Sequence, residues 1–477
     1  MSSILSTLFT AAHTLNVYTK VLDVTQNNVA NASTPGFATQ NLPLESSSMD
    51  LIDGETGGVT TGQIQSTRSE FAEQAVRTQQ TALGYQQQSV TSLTSLQSNF
   101  DISGNSGIDK ALNDFFQSAS AWGQAPTDET ARQSVINSAT EVAQSFQDAA
   151  TSMQKLAQQT DAQFASTVNQ VNQIVGQIQA CNQTTLQSGS GSEDSGVDAQ
   201  VHASLENLSQ LIDFTATKQP DGTTTILING TTPLLVGEQQ YNLEPSTTTD
   251  ANAAYAAPGT EQLLVGGTDI TAQSTGGQLG ATLNFRNQVL ASYIGDSSQA
   301  GTLNTMAQQF ADRVNQLVTS GTNTDGSTAP PLFTYDTTNP TNVAASLAVN
   351  PAITADQLTA ATVGPPPVSN GVPLALSQLA NPTDAADEID GFSYSQYYGN
   401  LAANVGNLLE NAQNNVNVDQ SLLTQAQNQR QQISGVDLNQ QAMTLVEFQR
   451  AYQANAQFIT VLDQLTADTI NILGTMA

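Results

Sequence analysis

Apolar or small side chains open the chain at Ile4, Leu8, Ala11, Leu15, Tyr18, Leu22, Thr25 and Val29, in alternating steps of four and three. That is a heptad seam, which keeps one stripe of a helix turned toward a partner. No Gly or Pro interrupts it. The predicted helix ends in the run Asn27 to Phe37, where Pro35 drives its predecessor out of the α region and Gly36 permits the turn that follows. The opposite end repeats the pattern through Leu445, Phe448, Tyr452, Ala456, Ile459, Leu462, Thr466, Ile470 and Leu473. Isolated helices of this kind are marginal in water. The two ends are therefore expected to pack on each other, on neighbouring copies, or on both.

Between the ends the period changes several times. A polar stretch with Pro43, Gly54, Gly57, Gly58 and Gly62 predicts extended loop or short strands. Helical spacing returns from about Ser69 to Gln97, from Ile108 to Gln124 (ended by Pro126), and from Asp128 to Leu186, with Thr127-Asp128-Glu129 as an acidic start. The Gly/Ser-rich run Ser188 to Gly196 reads as a linker, and a short helix is expected over Val201 to Leu211. Then Ile212 to Thr217, the Pro220-Asp221-Gly222 turn, Thr224 to Ile228, Asn229-Gly230, Leu234 to Val236 and Leu263 to Val265 predict a small β domain of hairpins. Helix resumes after Gly276. A Pro/Gly/Thr-rich stretch with Pro365-Pro366-Pro367 predicts an irregular, outward-facing insertion, and a last long helix runs from Ser393 to about Ile433, broken by Gly435.

These elements predict a mainly α chain with a smaller β domain. The expected organisation is an N-terminal axial helix (1–40) pairing with a C-terminal one (437–477) as a coiled-coil inner layer. A long-helix bundle domain is assembled from 41–187, 276–320 and 393–436, with a β domain at 188–275 and an outer insertion at 321–392 as inserted parts.

Charge narrows the function. With 11 basic residues against 41 acidic ones, a net −30, the chain is not expected to bind nucleic acid or an anionic membrane. No apolar run approaches the length of a transmembrane helix, so no membrane insertion is expected, and no basic leader precedes Lys20. One cysteine, Cys181, excludes an internal disulfide. The two histidines, His13 and His202, read as isolated. No Walker lysine motif, dinucleotide fingerprint, nucleophile elbow or EF-hand occurs. Neither a cofactor nor a metal is expected, and the chain reads as non-enzymatic.

The run Asn28-Val29-Ala30-Asn31-Ala32-Ser33-Thr34-Pro35-Gly36-Phe37 resembles the signature that closes the N-terminal helix in axial proteins of the bacterial flagellum, the rod, hook and hook-associated proteins. Ser434-Gly435-Val436-Asp437-Leu438 and Phe448-Gln449-Arg450-Ala451-Tyr452-Gln453-Ala454-Asn455-Ala456 are similar to the matching C-terminal signature. Gly57-Gly58-Val59, followed by Arg68, Phe71 and Arg77, resembles the family's passage into its next helical domain. The block from Gly277 to Leu317, with Arg286, Tyr293, Asn304, Phe310 and Asn315, resembles the hook-associated branch, which separates it from plain hook protein. The resemblance implies a secreted structural subunit at the hook–filament junction, exported unfolded by the flagellum's own type III apparatus. It implies a homo-oligomeric ring or tube, with hook protein, hook-associated protein 3 and an export chaperone on the C-terminal helix as partners. The assembly interface is then expected at Ile4, Leu8, Leu15, Tyr18, Leu22, Val29, Asn31, Pro35, Gly36, Phe37, Leu445, Phe448, Tyr452, Asn455, Ile459, Leu462, Ile470 and Leu473. Rival readings are a hook or distal-rod subunit with a mainly β middle, a secreted acidic adhesin, and an enzyme hidden within residues 197–392.

Overall fold

Long amphipathic stretches dominate the chain, and the computed structural model, which describes residues 2–50, 55–100, 105–188, 194–250, 253–322, 326–362 and 368–475, folds each of them as helix. Helix α1 (Ser2–Ala30) is followed by short strands β1 (Gln40–Asn41), β2 (Leu44–Asp50), β3 (Glu55–Thr61) and β4 (Gln65–Ser66). Helices α2 (Glu70–Gln97), α3 (Gly107–Gln124), α4 (Glu129–Ser188) and α5 (Ser195–Leu211) come next. Strands β5 (Thr215–Lys218), β6 (Thr224–Ile228), β7 (Thr232–Val236), β8 (Gln239–Gln240), β9 (Leu243–Thr248), β10 (Thr260–Val265) and β11 (Thr268–Asp269) form the β region. Then α6 (Gly277–Asn284), a π-helical stretch (Phe285–Leu290) and α7 (Ala291–Ile294) lead to α8 (Thr302–Thr319). Strand β12 (Phe333–Thr334), α9 (Val343–Ser346), β13 (Ala348–Val349), α10 (Gly371–Gln378), α11 (Tyr394–Ser434) and α12 (Leu438–Thr475) complete the chain.

Side-chain caps fix several helix starts. Asp128 accepts from the Thr130 N–H at the head of α4, and Ser393 with Gln396 forms a reciprocal capping box on α11. Helix α5 begins six residues before its expected start, because the Asp194 carboxylate accepts the N–H groups of Gly196 and Val197.

Two apolar cores share α4, whose 60 residues span about 90 Å. Its first half, Val135 to Ala157, packs with α3, α8 and the start of α11. Its second half, Phe164 to Cys181, packs with α5, α6 and the strands. The expected boundary at 188 therefore cuts the chain after a helix that already belongs to the β region's core. Strands β5-β6-β7-β8 form one antiparallel meander, and β9-β10-β11 a second sheet. Asn229 and Gly230 turn the first meander with positive φ values of 48° and 69°. A third, small cluster joins Val76 and Leu83 of α2 to Leu423 and Ala426 of α11.

The segment 321–392 departs from expectation. It is not an outer appendage without a core, since Leu332, Phe333, Val343, Leu347, Val372 and Leu376 are all buried in the first core. Phe333 stacks within an aromatic group, 5.7 Å from Phe310 and 6.4 Å from Phe115 between ring centroids. These apolar residues lie in short elements of two to eight residues, β12, α9 and α10, and the loops beside them, too short for a sustained period to show in the sequence.

One device recurs at four places where a strand docks on a helix. The amide of a helical asparagine accepts from the N–H and donates to the C=O of one strand residue, as a neighbouring strand would. Asn172 holds Leu243 in this way (2.8 and 2.8 Å), Asn287 holds Glu261 (2.9 and 2.8 Å), and Asn315 holds Phe333 (2.7 and 2.9 Å). Asn182 holds Thr224 (2.8 and 2.9 Å) and also donates to the Gly237 carbonyl. Each clamp satisfies backbone groups that burial would otherwise leave unpaired. Asn182→Ala is expected to lower the stability of the β region by about 2–3 kcal/mol. Asn182→Asp should cost at least as much, because its carboxylate faces two carbonyls. Denaturant melts of the two variants check this.

Candidate assembly interface

Helices α1 and α12 run antiparallel. Near the distal end Asn455 donates to the Ala11 carbonyl at 2.8 Å. Midway, Tyr18 and Phe448 meet edge to face at 5.7 Å. At the base Asn28 donates to Gln441 at 3.2 Å, while its amide clamps the N–H and C=O of Gln40. Carried to the tip at one residue for one, this pairing leaves about ten residues of α12 projecting past the start of α1.

The expected interface residues divide accordingly. Tyr18, Phe448 and Asn455 lie in the contact between the helices. Ile4, Leu8, Leu15, Leu22, Leu445, Ile459 and Leu462 are half-buried. Val29 (44% exposed), Tyr452 (38%) and Ile470 (57%) face solvent, and the side chain of Leu473 lies outside the described residues. The most buried stripe of α1 is Ala11, Val17, Val21, Thr25 and Asn28; it shares Ala11 and Thr25 with the expected seam and is elsewhere displaced by one residue, from Tyr18, Leu22 and Val29 to Val17, Val21 and Asn28. A second covering element accounts for the displacement. The hairpin β2–β3 lies along α1, where a Cβ on Gly58 would press on Thr10 at 2.9 Å, so α1 buries two adjacent faces.

Asn31, Pro35, Gly36 and Phe37 form the turn that ends α1. The Asn31 side chain donates to the Asn27 carbonyl and accepts from the Thr34 hydroxyl. Gly36 has φ +73°, and an added Cβ would lie 2.2 Å from the Ala199 carbonyl oxygen of α5. No side chain fits there.

Beneath this turn lies a polar joint. Arg68 donates to the Gly36 carbonyl (2.6 Å), to Glu73 (2.6 Å) and, through two nitrogens, to Asp198 (3.0 and 2.7 Å). Arg430 of α11 reaches the other oxygen of Glu73 (3.2 Å) and Glu206 of α5 (2.7 Å). Burial works against the Arg430 charge, but Glu206 and Glu73 hold its pKa above the usual value. His202 is not isolated: its Nε2 lies 3.6 Å from Glu70 and 3.8 Å from Asp198. Burial, with the Arg68 guanidinium beside it, lowers the His202 pKa from 6.5 to about 3. Among the described residues no group of three His, Cys, Asp or Glu side chains could hold a metal ion, and no helix is long and apolar enough to cross a membrane.

Residues 93–333 match the model of the flagellar hook-associated protein FlgK helical domain. The chain belongs to the FlgK family of flagellar hook-associated proteins. Residues 427–472 match the C-terminal model of the flagellar basal body rod FlgEFG proteins. Flagellar hook-associated protein 1 of Bacillus subtilis (strain 168) is 25% identical, the alignment covering 99% of each chain. The protein of that name from Escherichia coli (strain K12) is 22% identical over 96% of this chain and 98% of its own. The fold is similar to that of the flagellar hook junction protein FlgK from Burkholderia pseudomallei, with a TM-score of 0.59 and 17% identity, covering 75% of this chain and 99% of that one.

Sequence reading overlooks a second stripe. Leu5 (53%) and Phe9 (67%) on α1, with Phe458 (47%), Val461 (58%), Leu465 (50%) and Ile472 (60%) on α12, stand in water. Their spacing was visible as a second heptad row (458, 461, 465, 472) beside the seam. The pair carries two cations, Lys20 and Arg450, against four anions, Asp23, Glu447, Asp463 and Asp468, a net −2 in a chain of −30.

The joint predicts a pH dependence. His202 stays neutral in the fold, whereas the unfolded chain takes up a proton below about 6.5, so folding stability falls as pH drops from about 6.5 toward 3. Denaturant melts between pH 6.5 and 5 should show His202→Gln losing less stability than the parent over that window.

Proposed function

We propose that this chain is the structural subunit forming the junction between hook and filament, joined to its neighbours through α1 and α12. The observation that carries this reading is the second apolar stripe. A pair of helices with one stripe packed, another in water and almost no net charge is built to be covered by further helices. The rest of the molecule carries nearly all of the negative charge, which keeps the bodies soluble and apart. No catalysis enters this reading.

Assembly with other flagellar proteins follows from the family. The finer partners are part of the proposal: copies of the same chain around the ring, hook protein on one side and hook-associated protein 3 on the other. Export in an unfolded state, to the outside of the cell, leaves the stripes of α12 for a chaperone to shield until assembly. Residues Leu8, Leu15, Leu22, Leu445, Ile459 and Leu462 close the pair, and Phe458, Val461 and Leu465 meet the neighbours.

Deletion of the gene in the parent bacterium tests the reading. Electron microscopy should find hooks without filaments, with flagellin released into the medium; normal filaments would contradict it. Ile459→Asp should abolish junctions while the purified variant keeps its cooperative melt, since neither α1 nor α12 contributes to the three apolar clusters of the body. Intact junctions in that variant would refute the role given to α12.

A further inference from the structure

Among the described residues none of α1 or α12 belongs to the three apolar clusters, so no shared core among them holds the terminal pair to the body. The hairpin β2–β3 runs alongside α1. Polar bonds join the pair to the body. Thr39 donates through its N–H to the Ser434 carbonyl (2.9 Å) and through its hydroxyl to Gly435 (2.8 Å), and the Ser434 hydroxyl donates to the Thr67 carbonyl (3.1 Å). Below these bonds Arg68, with 6% of its side chain exposed, ties the α1 turn at Gly36 to α2 through Glu73 and to α5 through Asp198. Glu73 in turn receives Arg430 from α11. The α1 turn, the start of α2 and helix α5 thus meet at one guanidinium, and α11 joins them through Glu73. Its planar fork fixes direction as well as distance, which a single ammonium cannot do.

We infer that Arg68 is a positioning residue that sets the direction in which the terminal pair leaves the body. Of the eleven cations in a strongly acidic chain, Arg68, Arg77, Lys218 and Arg430 stand at this joint. A directional polar joint holds a slender pair at a defined angle, whereas apolar contact alone tolerates sliding. The joint stands on the isolated subunit; only its consequence for assembly rests on the junction reading.

The test is a spin-label distance in the full-length chain, with Cys181→Ser as background and labels at Gln457→Cys on α12 and Thr424→Cys on α11. The parent should give one narrow distribution. Arg68→Lys, which keeps the charge but cannot span Gly36 and Asp198 together, should broaden it severalfold while the melt of the body stays in place. Arg68→Gln should broaden it further, and Arg68→Lys decides the matter alone if Arg68→Gln does not fold. A distribution that stays narrow, a parent already as broad, or broadening only with loss of the body's cooperative melt overturns the assignment. Cells carrying Arg68→Lys supply the second readout. Fewer junctions at unchanged protein level support the assembly role, and normal junctions on a loosened pair overturn it without touching the joint.

Discussion

Two helices that bury one stripe against each other and leave a second in water form only a marginally stable pair until something covers them. This shortage of burial organises the molecule. Large side chains contribute about 1.5–3 kcal/mol each when fully buried, yet Ile4, Leu8, Leu15 and Leu22 are only half-covered and Phe9 is largely bare. Neighbouring helices would supply the missing cover. A subunit of this kind is folded in its body and incomplete at its ends, and assembly completes it.

The body meets the opposite demand, since it must be rigid before its neighbours arrive. Two apolar cores strung along α4 provide that rigidity. Strands are fastened to helices by asparagine amides that imitate a neighbouring strand, so short sheets with few partners keep their edges satisfied. The same device appears once in the terminal pair, where Asn28 clamps Gln40 and reaches Gln441. Body and pair thus share a fastening chemistry while differing in how much apolar surface they bury.

Much of this was legible in the sequence, and the gaps have physical causes. The long helices declare themselves because a 3.6-residue period repeats over many turns, as from Val135 to Ile178. The hairpin region announces itself through Asn229-Gly230 and Pro220-Asp221-Gly222. The burial of Leu332, Phe333 and Val372 does not, because their cover comes from α3, α8 and α11 and leaves no local period. The seam of α1 was read by spacing alone, which cannot foresee that β3 covers an adjacent face. The joint was hidden for a different reason: Arg68, Asp198 and Arg430 are separated by more than a hundred residues each, and only the scarcity of cations in an acidic chain hints that they converge. A mainly β middle, expected of a hook or distal-rod subunit, is absent from the described residues, where α2, α3, α4, α8 and α11 dominate.

The most direct measurement of the central claim is amide hydrogen exchange on the free subunit and on isolated hook–filament junctions. The account predicts fast exchange along the distal halves of α1 and α12 in the free subunit, with slow exchange in α3, α4 and α11. On assembly, protection should rise in the terminal helices alone. Terminal helices already as protected as α4 in the free subunit, and unchanged in the junction, would contradict it.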